Sequence, residues 1–215
     1  MLINAHTHHI SQNPLIVRDI YNQYPWNFGT NEAYYSIGIH PIFINESNIE
    51  RDLLTIEKHL SNEKCLAIGE IGLDKITPIN FDLQISVFKA QLKIAELHQI
   101  PVIIHCVRAY QEILSIRREL KLSIPFIFHG FNKNEHLAQQ IISNNCLLSF
   151  GKNLLQNPNL QTIFANLSDE NFFLENDDSQ IPIEEIYLKA AEIRNTSVDN
   201  IENIIQENFK RIFNK

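Results

Sequence analysis

The chain has 215 residues, and its composition of 44% hydrophobic and 20% charged residues excludes a disordered or collagen-like protein. Aspartate and glutamate (25) outnumber lysine and arginine (18), and the net charge of −7 excludes a general positive field that would attract a polyanion. No apolar run approaches the roughly 20 residues that cross a bilayer, and the first residues lack the pattern of a secretion signal. These features predict one cytoplasmic domain covering residues 1–215.

Short apolar runs alternate along the chain with longer patterns of helical period. The runs predict eight strands, at residues 2–5, 15–21, 34–39, 65–71, 101–105, 125–129, 146–150 and 172–175. The helical patterns lie near residues 47–60, 81–98, 109–121, 134–144, 153–166, 183–194 and 198–213. Ser47 and Glu50 have the spacing of a capping box, which predicts that the first helix begins there.

This alternation of strands and helices indicates an α/β protein with a parallel sheet. Eight strands favour a closed (β/α)8 barrel, the TIM barrel, over a doubly wound open sheet. The connections at residues 9–14 and 22–33 are too short for a full crossover helix. We therefore expect a barrel that is shortened or distorted in its first two βα units, with a second strand that is irregular or antiparallel.

Two histidines at the end of the first predicted strand suggest a metal site. His6 and His8 flank Thr7, and because side chains alternate along a strand, the two imidazoles point the same way. Such a pair can chelate a divalent cation.

Four more candidate ligands lie at or just beyond the ends of later predicted strands: Glu70, His105, His129 and Asp177. In a (β/α)8 barrel the carboxyl ends of all strands lie at one face, so these side chains are expected to converge there. Imidazoles and carboxylates together suit Zn²⁺, Mn²⁺ or Mg²⁺. The set exceeds the needs of one four-coordinate ion, which favours two ions with Glu70 as a bridging ligand.

Six short motifs follow one another through nearly the whole chain: AHTH (5–8), GIHP (38–41), GEIGLD (69–74), PVIIH (101–105), FHGF (128–131) and LEND (174–177). Together they resemble the TatD family of metal-dependent hydrolases. The resemblance implies a TIM barrel, divalent metal ions and hydrolysis of phosphodiesters. Several members of that family are DNases that often act from a strand end, so the expected partner is single-stranded DNA or an oligonucleotide end.

The resemblance also implies roles for single residues. The metal ligands would be His6, His8, Glu70, His105, His129 and Asp177. His40 of the GIHP motif would contact the substrate phosphate. Arg108, which stands one position further from His105 than the family's arginine, is a further candidate for substrate binding.

For the reaction we expect metal-assisted hydrolysis, in which two ions activate a water molecule. Asp177 and Glu70 would be the catalytic carboxylates, and Asp177 would accept the proton of the water. Glu175 lies two positions before Asp177, on the same side of the strand, and would orient a ligand or contact the substrate. Asp74 is expected to cap the segment that follows it.

Other interpretations remain open at this point. The same metal ligands would serve a small-molecule phosphoesterase, an amidohydrolase, or a non-catalytic protein with a structural metal site. Neither a membrane nor an obligate protein partner is expected. Aromatic residues around Trp26 would plug the shortened part of the barrel, which we favour, or stack on a base of the substrate.

Overall fold

The computed structural model describes residues 1–29 and 33–214, and in them strands alternate with helices. The strands are β1 (Leu2–Thr7), β2 (Val17–Gln23), β3 (Tyr34–Ile37), β4 (Cys65–Asp74), β5 (Val102–Val107), β6 (Phe126–Phe128), β7 (Leu147–Phe150) and β8 (Phe172–Leu174). The α-helices are α1 (Ile49–His59), α2 (Phe81–His98), α3 (Tyr110–Glu119), α4 (Glu135–Ser143), α5 (Pro158–Ala165), α6 (Ile183–Ile193) and α7 (Val198–Phe213). Every predicted strand and helix is present, so the secondary-structure prediction is confirmed in the part that is described.

The strands lie in one sheet in the order of the chain, from β1 to β8. The predicted (β/α)8 barrel is confirmed by this order and by the helices that follow β3 to β8. Just after β8, Asp177 forms a parallel bridge with Thr7 of β1. The sheet therefore returns from its last strand to its first.

The direction of the second strand differs from one of the alternatives that we expected. β2 runs parallel to β1, with Leu2 opposite Val17 and Ile3 opposite Arg18, so the antiparallel alternative is wrong. Residues 8–16 connect the two strands without a helix, and about 30 Å of extended chain is enough to return to the start of the next strand. The register shifts between Asn4 and Thr7, where three steps along β1 match two steps along β2, so the extra residue lies in β1 and not in the second strand, where we expected an irregularity.

The shortening of the first two βα units is confirmed in the described residues. Neither residues 8–16 nor residues 24–29 and 33 contain a helix. Residues 30–32 of the second predicted connection lie outside the described part of the chain.

Two α-helices begin later than expected, and an asparagine side chain caps a 3-10 turn before one of them and the helix itself in the other. Asn45 accepts a hydrogen bond from the backbone of Ser47 and opens a 3-10 turn at Glu46–Asn48, so the predicted capping box is wrong and α1 begins at Ile49. Asn157 likewise caps α5, which begins at Pro158, after a separate 3-10 turn at Lys152–Leu155. Short polar side chains at these positions satisfy backbone N–H groups that have no partner within the helix.

By its internal contacts the chain divides into two compact units: the first is Met1–Tyr21 with Phe128–Lys215, and the second is Asn22–Ile127. The single-domain assignment stays a prediction. In the first unit, the hydroxyl of Tyr187 on α6 donates to Ile3 O (2.9 Å) and accepts from Ile3 N (3.0 Å). This buried pair of hydrogen bonds fixes β1, the strand that carries His6, against α6.

In the second unit, two glutamines of α2 hold the strand ends that carry candidate site residues. Gln91 donates to Ile39 O (3.1 Å) and accepts from Ile39 N (2.7 Å), just before His40. Gln84 makes the same pair of bonds with Asp74, at 3.0 and 2.8 Å. Both glutamines are buried, so these bonds are shielded from water and fix the backbone at the site.

None of the helices in the described residues is long and apolar enough to cross a membrane.

Candidate metal centres

The first cluster consists of His6, His8 and Asp177, all in the first unit. His6 Nε2 and His8 Nε2 each lie 3.6 Å from Asp177 Oδ1. Two ligand atoms at about 2.1 Å from a tetrahedral ion are about 3.4 Å apart. The spacing therefore fits one divalent cation, and the predicted alternation of His6 and His8 along β1 brings both imidazoles to it.

Backbone contacts between β1 and the end of β8 hold Asp177 in this cluster. The N–H of His8 donates to Asp177 O (3.0 Å), and the N–H of Asp177 donates to His6 O (3.1 Å). Asp177 itself has a φ of 55°, in the left-handed region that non-glycine residues rarely adopt. Such strain is found where surrounding structure holds a functional side chain in place.

Hydrogen bonds from the buried Asn4, a residue that the sequence did not single out, fix the residue before Asp177. Asn4 donates to Asp19 Oδ1 (2.8 Å) and to Asn176 Oδ1 (2.9 Å), and the N–H of Asn176 donates back to Asn4 Oδ1 (3.0 Å). Asn4 lies two positions before His6 on β1 and shares its face. That alternation is the signal that could have identified it.

His129 and Glu175 extend the first unit's site. The rings of His129 and His6 lie 4.5 Å apart, and Glu175 Oε1 lies 3.5 Å from His129 Nδ1 and accepts a hydrogen bond from Gly130 N at 2.6 Å. Glu175 is fully buried. This burial favours the orientation of His129 over contact with a substrate, which were the two roles expected for Glu175.

The pKa of Glu175 is lower than the ordinary value for a glutamate. Burial raises the pKa of this carboxyl group, but the hydrogen bond from His129 and the charges of His129 and His6 outweigh burial. The carboxylate form therefore has partners that offset its desolvation.

The second cluster consists of His40, Glu70 and His105, all in the second unit. His40 Nε2 lies 3.2 Å and His105 Nδ1 lies 2.7 Å from Glu70 Oε1. The same donor set, two imidazoles and a carboxylate, suits a divalent cation. His40, which we had assigned to the substrate phosphate, is thereby also a candidate ligand, because the sequence shows its place after β3 but not the direction of its side chain.

Asp74 combines its predicted role with a second one. Its Oδ1 accepts from the N–H of Ile76 at 2.8 Å, as expected of a capping residue. Its Oδ2 lies 3.3 Å from His105 Nε2, so His105 stands between Asp74 and Glu70. A carboxylate on the far nitrogen of a ligand histidine fixes the orientation of the ring and the position of its proton.

Arg108 directly follows β5 and has a φ of 57°. The residue is exposed, so its side chain is open to solvent. Its role in substrate binding stays a prediction.

Comparisons with known proteins identify the family of the chain. The family model described as TatD related DNase matches residues 26–214. Two relatives described as uncharacterized metal-dependent hydrolases are each 27% identical: one from Haemophilus influenzae, over 83% of this chain and 76% of its own, and YabD of Bacillus subtilis, over 84% and 77%. The crystal structure of YjjV, a TatD homologue from Escherichia coli, matches with a TM-score of 0.85 and 20% identity over 100% of this chain and 98% of its own.

The structural likeness supports the barrel fold, and the family match covers the motifs from GIHP to LEND. The resemblance seen in the sequence is thus confirmed. The chain belongs to the TatD family of metal-dependent hydrolases.

Proposed function

We propose that this chain hydrolyses phosphodiester bonds at the ends of single-stranded DNA or oligonucleotides, with one divalent ion in each cluster. The observation that carries the proposal is the placement of His6 Nε2 and His8 Nε2 at 3.6 Å from one oxygen of Asp177. Mg²⁺, Mn²⁺ and Zn²⁺ are the candidate ions. The bridging role of Glu70 and the cytoplasmic location stay predictions.

A divalent ion held by His6, His8 and Asp177 would supply a water molecule of lowered pKa and positive charge that offsets the charge of the phosphate. Asp177 accepts the proton of the water, for which its side chain is suited because it is 37% exposed and reaches solvent. Glu175 holds the His129 ring, and Asp74 holds the His105 ring. Because cations bound at the site provide local positive charge, a net charge of −7 is compatible with a phosphate substrate.

The proposal is tested by a panel of substrates offered to metal-loaded protein. Single-stranded oligonucleotides should be cleaved faster than a small phosphodiester such as bis(nitrophenyl) phosphate, and amide substrates should not be cleaved. Cleavage of the small phosphodiester alone would reassign the protein as a small-molecule phosphoesterase. Cleavage of amides alone would make it an amidohydrolase and overturn the proposal.

We predict that the two clusters bind ions separately. Wild-type protein should retain two ions after dialysis, and His8→Ala and His105→Ala should each retain one, because each substitution removes a ligand from a different cluster. Elemental analysis of the dialysed proteins measures this. Retention of both ions by either variant would show that its histidine is not a ligand, and loss of both ions from one variant would contradict separate binding.

Glu175→Gln should weaken metal binding in the first unit by about 10- to 100-fold, the usual effect of removing a group that orients a ligand histidine. Glutamine can still accept the hydrogen bond from Gly130, but it lacks the charge that faces His129. Competition with a chelating dye measures the affinity. Glu63→Gln, at an exposed position of the second unit, is the matched control, and equal affinities in the two variants would contradict the role of Glu175.

A further inference from the structure

Three aromatic residues of the second unit form a cluster at its surface. The rings of Tyr24 and Trp26 are stacked, with centroids 5.1 Å apart and planes at 14°. Phe43 meets both rings edge-on, at 5.4 Å from Tyr24 and 5.9 Å from Trp26. We call Tyr24, Trp26 and Phe43 the aromatic cluster.

The aromatic cluster adjoins the second metal cluster through His40. The ring of His40 lies 5.6 Å from Phe43 on one side and 4.2 Å from His105 on the other. The intervening backbone is a 3-10 turn at Pro41–Phe43, in which His40 Nδ1 accepts from Ile42 N (3.2 Å) and His40 O accepts from Phe43 N (3.0 Å). Phe43 is therefore held at a fixed position beside the candidate ligand.

Two members of the aromatic cluster are open to solvent. Trp26 is 39% exposed and Phe43 is 47% exposed. Tyr35, in the same region, is buried. Whether the aromatic residues of this region plug the shortened part of the barrel stays a prediction. Large aromatic side chains gain free energy when they are covered, and an exposed group of them indicates a binding site.

The aromatic cluster and the adjacent second metal cluster together indicate what kind of ligand would bind there. The second cluster suits a cation that attracts an anionic group, and the aromatic cluster offers flat rings that suit stacking. The patch has the size of a few rings, which is too small for a stable protein interface. A nucleotide has an aromatic base that can stack on the aromatic cluster and a phosphate that can lie at the second metal cluster.

We propose that Trp26 and Phe43 form a stacking subsite for the base of a nucleotide whose phosphate lies at the second metal cluster. The proposal rests on the proposed function and adds to it the recognition of a base beside the cleaved bond. Stacking is tolerant of sequence because every base has an aromatic face. The subsite therefore gives affinity for nucleotides with little preference among bases.

The test uses the fact that the chain has a single tryptophan, so its tryptophan emission reports Trp26 alone. Thymidine monophosphate is titrated into Mg²⁺-loaded protein and the emission is followed, with deoxyribose phosphate as the matched ligand that lacks the base. Thymidine monophosphate should quench the emission in a saturable way, and deoxyribose phosphate should not. Equal responses to the two ligands, or no response to thymidine monophosphate, would overturn the proposal.

Variants separate stacking from general packing. Phe43→Ala should weaken thymidine monophosphate binding about tenfold, and Phe43→Tyr should restore it because the flat ring is kept. Leu97→Ala, at a side chain of α2 that is 75% exposed, is the control and should bind as the wild type does. Equal binding by Phe43→Ala and wild type would overturn the proposal.

Cleavage assays distinguish failure of the subsite from failure of the proposed function. Cleavage of oligonucleotides at equal rates with and without a terminal base would leave the proposed function in place and overturn the subsite. Base-dependent quenching without any cleavage would support the subsite and overturn the proposed function. A change of emission with protein concentration alone would identify a second copy of the chain as the occupant and overturn the nucleotide proposal.

Discussion

Asp177→Asn will lower the rate of hydrolysis by at least about 100-fold, because removal of a positioned general base typically costs that much or more. Asparagine keeps the shape of the side chain but cannot accept the proton of the water. It also adopts the left-handed backbone of residue 177, with its φ of 55°, as readily as aspartate does. The fold is therefore expected to survive, whereas proton transfer is expected to fail and ion binding in the first cluster is expected to weaken, because Asp177 is also a candidate ligand there. Steady-state rates on an oligonucleotide measure the effect.

The adjacent residue provides the control. The side chain of Asp178 is 77% exposed, and its Oδ1 lies 2.9 Å from Nε2 of His9. Asp178 is outside the first cluster. Asp178→Asn removes the same charge one position away and should keep wild-type activity. Circular dichroism should show the same fold in both variants, and full activity of Asp177→Asn would contradict the assignment of Asp177 as the base.

Gly72→Ala will destabilise the protein by about 4 kcal/mol or more, which lies in the range of the most severe single substitutions. Gly72 of β4 lies opposite His105 of β5 and has a φ of 156°. A Cβ atom at this position would lie 1.8 Å from His105 O and 2.8 Å from His105 C, both backbone atoms that cannot move independently of the sheet. The substitution therefore separates the two strands that carry Glu70 and His105.

Thermal unfolding measures this loss, and elemental analysis should show that any folded fraction lacks the ion of the second cluster. Gly29→Ala is the control in the same unit, because among the described residues the nearest atom to its Cβ would be Gln23 Oε1 at 3.9 Å, an ordinary contact. An unchanged melting temperature for Gly72→Ala would contradict the close approach of β4 and β5.

Much of the fold could be predicted because apolar periodicity directly reflects which residues are buried. Every residue of β4 is buried, as expected for a strand covered on both faces. The direction of β2 could not be predicted, because a connection without a helix provides no periodic pattern that reveals how the chain returns. The start of α1 was predicted two residues too early because Ser47 is a good capping residue, whereas Asn45 caps a separate 3-10 turn that precedes the helix.

The sequence predicted which residues lie together at the candidate site, but not which of their side chains are in contact. Strand ends place His6, His8 and Asp177 together, since alternation and topology determine which side chains share a face. The contact of Asp74 with His105 depends on side-chain directions beyond the end of a strand, which periodicity does not specify. The exposure of Trp26 likewise depends on the path of a loop.

Restoring metal to stripped protein decides whether this protein is a phosphodiesterase that depends on divalent metal. Single-stranded oligonucleotides labelled at either end are incubated with protein that has been stripped with a chelator and then given Mg²⁺, Mn²⁺ or Zn²⁺. We expect no cleavage without metal and stepwise loss of nucleotides from one end with at least one of the ions. A metal-dependent phosphodiesterase would be contradicted if protein shown to hold both ions left the oligonucleotides intact, or if stripped protein cleaved them equally well.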